Sequence, residues 1–413
     1  MLKLNFDVKR HFLDNGLEVV TVKKDTQIAS VNVGINVGSL YENMDEKGIA
    51  HFIEHMLFKG TKKKNYEEIN DELELLGGEY NAYTDYTATV YTISCLTEEI
   101  KNGVEILGDM IINSAFREEE IEKERGVILA EIRTSRDDIE DLSFKRINEE
   151  AFKNSPLRYD VAGLEKNVKK YSKSDLERFY NKYYVPNNSV ITIVSSFDHE
   201  EALETISKWF SNWEKGEDIK RDIIEENNME KIITTKKDNI EQNTIVYLYT
   251  FYDLDREYEL PLRILNHRLG ESANSLLFRE VRENRGLAYD IYTNLDMTKN
   301  VKTLYIYTAV GEGDIEGALA AIDSTLEGVK NRKIVIGDRD LELMKKVHKT
   351  AVISTLEDPS ELCNYILHQS LEGEDIHEFV KDMERLNNLD TNKIYEVSKK
   401  VLRKPTIHIL KSS

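Results

Sequence analysis

The stretch Gly48-Ile49-Ala50-His51-Phe52-Ile53-Glu54-His55-Met56-Leu57 decides how this chain folds and what chemistry it can carry. Its two histidines are four residues apart, so on a helix both imidazoles face one side and can reach the same cation. Neutral imidazole is a good ligand for Zn²⁺. Glu54 stands just before His55, where its carboxylate can take a proton from an attacking water molecule. The order H-x-x-E-H reverses the H-E-x-x-H metalloprotease motif and predicts a zinc-binding helix.

The alternative is a pair of histidines without a metal. With nine histidines in 413 residues, a match to H-x-x-E-H arises by chance with a probability of roughly a few percent. Such a pair can be a surface accident or two satisfied core side chains. Catalytic zinc takes three protein ligands and keeps one position open. The motif therefore needs a third ligand from elsewhere in the chain.

A second helical pattern, over residues 121–132, offers that third ligand. Glu124 and Glu131 are seven residues apart, which places both carboxylates on one helix face, two turns from each other. Glu131 could then reach the metal while Glu124 orients a ligand histidine. The alternative for either glutamate is a solvated helix face, which is common in a chain this acidic.

The run Gly38-Ser39-Leu40-Tyr41-Glu42 and the longer segment Gly48–Thr61 together resemble the core signature of the pitrilysin-type inverzincin peptidases. They are most similar to the short branch, which includes the mitochondrial processing peptidases and bacterial processing-protease-like enzymes. In that family a glutamate about 76 positions past the second histidine completes the zinc site, and here 131 − 55 = 76. The resemblance implies one Zn²⁺ per chain with these roles: His51, His55 and Glu131 as ligands, Glu54 as general base and Glu124 beside a ligand.

The glycine-bounded run Gly77–Thr87 resembles the strand of that family whose edge receives substrate. An extended peptide can add to such an edge through main-chain hydrogen bonds. We therefore expect Asn81, Ala82 and Tyr83 to bind substrate.

A downstream block, Leu277–Tyr289, resembles the C-terminal signature of the same family, in which an arginine and a tyrosine seven positions apart assist catalysis. Arg282 and Tyr289 match those two positions. A guanidinium and a phenol can donate hydrogen bonds to the oxyanion that forms when an amide carbon is attacked. The alternative for Arg282 is a surface ion pair with an acidic neighbour.

Composition narrows the class of protein. A net charge of −20 opposes nucleic-acid binding, because phosphate contacts need a basic patch. The two cysteines, Cys95 and Cys363, are too few for a disulfide framework. The sequence contains no run of 18 or more apolar residues, so no membrane-spanning helix is predicted. The first ten residues lack the apolar region of a signal peptide. We expect a cytoplasmic protein without a membrane partner.

The order of predicted elements favours an α+β fold with two structurally similar domains. Each domain is expected to contain a mainly antiparallel sheet with helices packed on it. We predict a catalytic zinc-binding domain at 1–215, a linker and early strand at 216–237, and a metal-free homologous domain at 238–413. Residues 118–140 are predicted to form one helix. His267, in the second domain, has no histidine four residues away and is expected to be structural.

These features predict a zinc-dependent endopeptidase that cleaves unstructured peptides or N-terminal leader segments. The family resemblance implies that two such chains pair around a chamber, with Arg282 and Tyr289 completing the site of the opposite chain. We expect a homodimer, with a heterodimer containing an inactive homologue as an open alternative. The competing function is a non-catalytic scaffold or partner subunit of a heterodimeric peptidase.

Overall fold

The computed structural model describes residues 6–220 and 222–413. The chain divides into two compact units, and each unit combines three separate segments. Among the described residues, the first unit contains 6–133, 160–220, 222 and 352–378, and the second contains 134–159, 223–351 and 379–413. The domains predicted at 1–215 and 238–413 are contiguous. In the structure, residues 352–378 instead belong to the first unit and residues 134–159 to the second.

Within the described residues the chain forms eleven strands and fourteen α-helices. The strands are β1 (Phe6–Phe12), β2 (Glu18–Lys24), β3 (Ile28–Ile35), β4 (Glu79–Thr84), β5 (Thr89–Leu96), β6 (Ser189–Ser195), β7 (Lys231–Lys237), β8 (Asn243–Thr250), β9 (Ala288–Asp296), β10 (Thr303–Val310) and β11 (Thr406–Ser412). The helices are α1 (Ile49–Leu57), α2 (Tyr66–Leu75), α3 (Ile100–Asn113), α4 (Glu118–Asp137), α5 (Ile139–Ala151), α6 (Glu165–Val168), α7 (Lys173–Tyr183), α8 (His199–Phe210), α9 (Glu259–Asn266), α10 (Ile315–Lys330), α11 (Asp338–Glu357), α12 (Pro359–Glu372), α13 (Glu378–Asn387) and α14 (Thr391–Val401).

The first unit is built on a six-stranded sheet in the order β1-β2-β6-β3-β5-β4. Its neighbouring strands are antiparallel except for the parallel pair β2 and β6. Strand β4 therefore lies at an edge. On one face, Val31 and Val33 of β3 are buried in the core that also contains Phe52 of α1 and Val104 of α3. On the other face, Gly34 leaves room for α12, because a Cβ at Gly34 would lie 2.8 Å from a methyl carbon of Leu371.

The second unit is built on a five-stranded sheet in the order β7-β11-β8-β10-β9. Its strands pair in the same sequence as β2-β6-β3-β5-β4, and β7 and β11 are again the parallel pair. The other neighbouring strands are antiparallel. Each sheet has helices packed on it. The predicted α+β fold with two similar, mainly antiparallel domains is confirmed.

Helices α5 and α12 carry the exchange of segments between the two halves of the chain. Helix α12 packs on β3 and β6 of the first sheet, and α5 packs on β8 and β11 of the second. Both helices begin after an aspartate whose side chain caps them, Asp138 for α5 and Asp358 for α12. The two caps are 220 positions apart (358 − 138), and the helices that precede them, α4 and α11, also begin 220 positions apart (338 − 118).

The single helix predicted over residues 118–140 is wrong. Helix α4 ends at Asp137 and α5 begins at Ile139. Asp138 has extended backbone angles, and its carboxylate accepts hydrogen bonds from the N–H groups of Glu140 at 2.8 Å and Asp141 at 3.0 Å. This cap starts a new helix at the residue where apolar periodicity alone suggested that the old one continues.

Candidate metal centre

Helix α1 buries one face and leaves three polar side chains on the other. Its buried residues are Ile49, Ala50, Phe52, Ile53, Met56 and Leu57. His51, Glu54 and His55 are half-buried. The apolar residues recur with helical spacing, so burying them against the sheet points the polar residues of the motif away from the core.

The N-terminus of α1 is held by Glu42. Gly48 precedes the helix with φ of 99°, a left-handed conformation, and provides no side-chain cap. The Glu42 carboxylate takes that place: it accepts the Gly48 N–H at 3.0 Å and the Ala50 N–H at 2.9 Å. Burial raises the pKa of Glu42 to about 8, and the hydrogen bonds from these two N–H groups oppose that increase. This cap fixes the turn that carries His51.

The third predicted ligand is brought to α1 by α4. Ile121, Ile128 and Ile132 of α4 are buried, which sets the rotation of the helix about its axis. Glu124 and Glu131 consequently face α1. Glu124 is buried, whereas the Glu131 side chain is 45% exposed.

The three predicted ligand atoms lie close together. His51 Nε2 and His55 Nε2 are 3.3 Å apart, and a Glu131 carboxylate oxygen lies 3.9 Å from the first and 3.8 Å from the second. Ligands about 2.1 Å from a tetrahedral zinc ion are separated by about 3.4 Å, so these residues fit zinc. Within the described residues, they form the one group of three or more histidine, cysteine or acidic side chains close enough to hold a metal ion.

The proton positions on the two histidines also fit a cation. Burial, followed by the charge of His55, lowers the pKa of His51 to about 4, so this imidazole is neutral near pH 7. His55 Nδ1 lies 3.1 Å from a Glu124 oxygen. Burial alone would lower the pKa of His55, but the hydrogen bond to Glu124 and the nearby carboxylates outweigh it, so the pKa is raised. A carboxylate only accepts, so when His55 is neutral its proton resides on Nδ1 and its Nε2 lone pair faces His51 and Glu131.

Glu124 is held between two donors. Its second oxygen accepts a hydrogen bond from Lys59 Nζ at 2.9 Å. Burial alone would raise the pKa of Glu124, but the hydrogen bonds from His55 and Lys59 outweigh it, so the pKa is lowered. Glu124 therefore stays a carboxylate and keeps accepting the His55 proton.

Glu54 is positioned by a residue that sequence reasoning did not single out. The Thr84 hydroxyl donates a hydrogen bond to a Glu54 oxygen at 2.6 Å. Burial raises the pKa of Glu54, and the Thr84 hydrogen bond opposes that increase. Thr84 lies in the run predicted to bind substrate, but nothing in its sequence spacing relates it to Glu54.

The residues predicted to bind substrate lie on β4 with alternating orientations. Ala82 packs against the core on the α1 side of the sheet, whereas Asn81 is exposed. Tyr83 points to the face covered by α12, where its hydroxyl lies 2.8 Å from Asn364 Oδ1 and 2.7 Å from His368 Nε2. The Tyr83 side chain thus ties the edge strand to α12.

Arg282 and Tyr289 belong to the second unit. Arg282 lies in a π-helical segment, Phe278–Asn284, and Tyr289 lies near the start of β9. The guanidinium carbon is 5.7 Å from the centre of the Tyr289 ring and 4.7 Å from that of Phe278. Tyr289 is 74% exposed. Arg282 has no ion-pair partner in the part of the chain that the structure describes, in contrast to the alternative of a surface ion pair.

His267 occupies the region of the second unit that corresponds to the end of α1. Its Nδ1 lies 3.5 Å from a carboxylate oxygen of Glu271. The described residues around it provide no third ligand, since the only candidate metal group among them is in the first unit.

The sequence matches two models of one peptidase family. Residues 18–164 match "Insulinase (Peptidase family M16)", and residues 170–346 match "Peptidase M16 inactive domain". The chain belongs to peptidase family M16. The resemblance to the pitrilysin-type peptidases is therefore confirmed, and the order of the two matches agrees with a metal motif in the first half only.

Relatives of this M16 protein include zinc proteases. It is 34% identical over 314 residues to an uncharacterized zinc protease of Rickettsia bellii, a match that covers 75% of this chain and 74% of that protein. It is 30% identical over 352 residues to the uncharacterized zinc protease YmxG of Bacillus subtilis, with 85% of each chain covered. It is also 33% identical over 205 residues to the mitochondrial-processing peptidase subunit beta of Caenorhabditis elegans, covering 50% of this chain and 45% of that one.

Solved structures share the fold of this M16 protein along its whole length. A protease from Helicobacter pylori superposes with a TM-score of 0.93 at 22% identity and covers 99% of this chain and 100% of that one. A putative M16-like peptidase from Alicyclobacillus acidocaldarius superposes with a TM-score of 0.85 at 20% identity, with full coverage of both chains. Every described helix is too short or too polar to cross a lipid bilayer.

Proposed function

We propose that this protein is a zinc-dependent endopeptidase with one zinc ion per chain. The observation that carries the proposal is the convergence of His51 Nε2, His55 Nε2 and a Glu131 oxygen within 3.9 Å of each other. The family relationship to zinc proteases supports it. When bound, zinc would acidify a water molecule and polarise the scissile carbonyl.

Glu54 is the proposed general base. Its carboxylate takes the proton of the attacking water and passes it to the leaving amine. Burial makes it a stronger base than an exposed glutamate, because burial raises its pKa. Thr84 keeps one carboxylate oxygen hydrogen-bonded, so the side chain holds a single orientation.

Peptide substrate would bind as an added strand on β4. Within the described residues β4 pairs only with β5, so its second edge is open. Main-chain hydrogen bonds at that edge accept any extended peptide, and the sheet holds the edge beside the helix that carries Glu54. Unstructured peptides and N-terminal leader segments are therefore the proposed substrates.

Arg282 and Tyr289 are the proposed donors to the oxyanion. The guanidinium is free of carboxylate partners in the described chain, and the phenol is exposed, so both can turn to a substrate oxygen. We further propose that two chains form a homodimer around a chamber and that this pair acts on the site of the opposite chain. A heterodimer with an inactive homologue would serve the same purpose.

The test is a Glu54→Gln variant of the full chain, loaded with zinc. It should retain zinc, as measured by metal analysis, and lose at least about 100-fold in cleavage of an unstructured peptide library. Glu119→Gln, an exposed change on α4, is the matched control and should cleave at the parent rate. Cleavage by Glu54→Gln at the parent rate would refute the assignment of the base. A parent protein that binds zinc but cleaves nothing would favour a scaffold subunit.

A further inference from the structure

We propose that Lys59 is a positioning residue of the metal centre, which acts on His55 through Glu124. This inference rests on the proposed zinc site. Lys59 lies two residues beyond the end of α1, and its ammonium contacts one Glu124 oxygen at 2.9 Å. The other Glu124 oxygen lies 3.1 Å from His55 Nδ1. The three side chains thus form one continuous hydrogen-bonded line from Lys59 to a ligand.

The geometry gives Lys59 a task that no other described residue performs. A glutamate has three rotatable bonds, so a single hydrogen bond to His55 leaves its carboxylate free to turn. Lys59 holds the second oxygen, and the two contacts together define one orientation of the carboxylate. Glu124 is only 5% exposed, and water has little access to replace Lys59. With the carboxylate fixed, the His55 ring is held with Nδ1 on Glu124 and Nε2 toward the other ligands.

Lys59 itself is well confined. Its side chain is 19% exposed, and its ammonium lies 4.5 Å from the centre of the Tyr66 ring at the start of α2. A cation over an aromatic face is favourable, so the ring helps to keep the ammonium on Glu124. Lys59 is therefore held by groups on both sides rather than extended into solvent.

Two explanations of Lys59 make opposite predictions for zinc affinity. If Lys59 were only a nearby positive charge, its removal would strengthen the binding of a divalent cation, because like charges repel. If it positions Glu124, its removal lets the carboxylate turn and weakens the binding, although a repulsive charge has gone. The direction of the change therefore distinguishes the two roles.

The experiment measures zinc dissociation constants by competition with a chromogenic chelator for the full chain and three variants. Lys59→Met should weaken zinc binding about 10-fold, the lower end of what loss of an outer partner costs. Lys59→Arg, which keeps a cationic donor, should stay within about 3-fold of the parent. Lys64→Met is the matched control. Lys64 lies with Lys59 between α1 and α2, but it pairs with Glu72 of α2, which does not contact a zinc ligand. Unchanged or tighter zinc binding by Lys59→Met would overturn the proposal.

A second measurement does not need zinc. Nitrogen-15 spectra of histidine-labelled, metal-free protein, recorded at a pH high enough for His55 to be neutral, report which ring nitrogen of His55 carries the proton. The parent and Lys59→Arg should show His55 with the proton on Nδ1, and Lys59→Met should show a mixture of the two forms. An unchanged His55 signal would refute the positioning role. If the parent failed to bind zinc, the proposed function would be refuted, but this spectrum would still test whether Lys59 positions Glu124 and His55. Should Lys59→Met fail to fold, Lys59→Gln would replace it in both measurements.

Discussion

At the residue scale, Thr84 determines how Glu54 can act as a base. The Thr84 hydroxyl donates to Glu54 at 2.6 Å, and this bond stabilises the ionised carboxylate against the effect of burial. Only the ionised form can take a proton from water. The hydroxyl therefore affects both the orientation of Glu54 and the pH range in which it works.

We expect Thr84→Val to lower kcat/KM about 10- to 100-fold, the range for a hydrogen bond to a charged group. Without the donor the pKa of Glu54 rises further, so a higher pH is needed to ionise it and the acid limb of the activity profile moves to higher pH. Zinc content should not change. Thr84→Ser keeps the hydroxyl and serves as the control, with a profile near that of the parent. A valine variant with the parent profile would contradict the role assigned to Thr84.

The sequence predicted some residues of the candidate site and missed others for a physical reason. His51, Glu54 and His55 lie in one helix, so their spacing alone places them on one side of it. Glu131 was predicted because its distance from His55 along the sequence matches that of the third zinc ligand in the family. In the structure its carboxylate lies near the two histidines. Thr84 and Lys59 act through partners on other elements. Which strand and which helix lie beside α1 depends on the tertiary fold, and no local pattern reports it.

At the element scale, the cap on α1 couples the stability of this helix to its metal ligands. Glu42 lies six residues before Gly48, outside the helix, and both of its oxygens accept N–H groups of the first turn. It is 4% exposed, so water does not readily replace it when the side chain is removed. His51 follows the capped Ala50 directly and moves with that turn.

We expect Glu42→Ala to lower the free energy of unfolding by about 2 kcal/mol, because two buried N–H groups lose their acceptor. Zinc binding should weaken as well, since the first turn of α1 frays. Asp198→Ala is the matched control: the Asp198 carboxylate caps α8 by accepting the Glu201 N–H at 2.9 Å, and α8 carries no ligand. The control should lose about 1 kcal/mol and bind zinc like the parent. Chemical denaturation and chelator competition measure the two effects, and equal zinc affinities for Glu42→Ala and the parent would contradict the coupling.

Helix boundaries show where sequence reasoning works and where it stops. The start of α12 is marked in the sequence, because Pro359 cannot continue a preceding helix and fits the first turn of a new one. The start of α5, at the equivalent point of the other half, has no proline. There the boundary between α4 and α5 depends on the Asp138 side chain, and an aspartate within an acidic helical pattern cannot be recognised as a cap from the sequence.

At the scale of the whole molecule, the two halves repeat one strand order while only the first carries the metal group. The repeat was predicted because strands and helices follow the same succession in both halves. The exchange of α5 and α12 was not predicted. Both helices are amphipathic segments of ordinary length, and their sequences do not indicate on which sheet each one packs.

The proposed sharing of sites between two chains makes a prediction that single variants cannot test. Glu54 belongs to the first unit and Tyr289 to the second. If each site combines Glu54 of one chain with Tyr289 of the other, a dimer of one Glu54→Gln chain and one Tyr289→Phe chain contains one site with both residues intact. Its second site lacks both. We expect such a mixed dimer, purified with two different affinity tags, to recover about half the parent activity, whereas each variant alone is nearly inactive.

The control pairs a Glu54→Gln chain with a chain that carries both substitutions. That dimer has no site with both residues intact and should stay inactive, which excludes rescue by contaminating parent protein. If the two residues acted within one chain, the mixed dimer of single variants would contain no intact site. A purified mixed dimer without activity would therefore reject the shared site and leave the zinc centre of each chain unaffected. The assembly and the zinc chemistry are thus separable claims, because the first concerns where Tyr289 acts and the second rests on His51, His55 and Glu131.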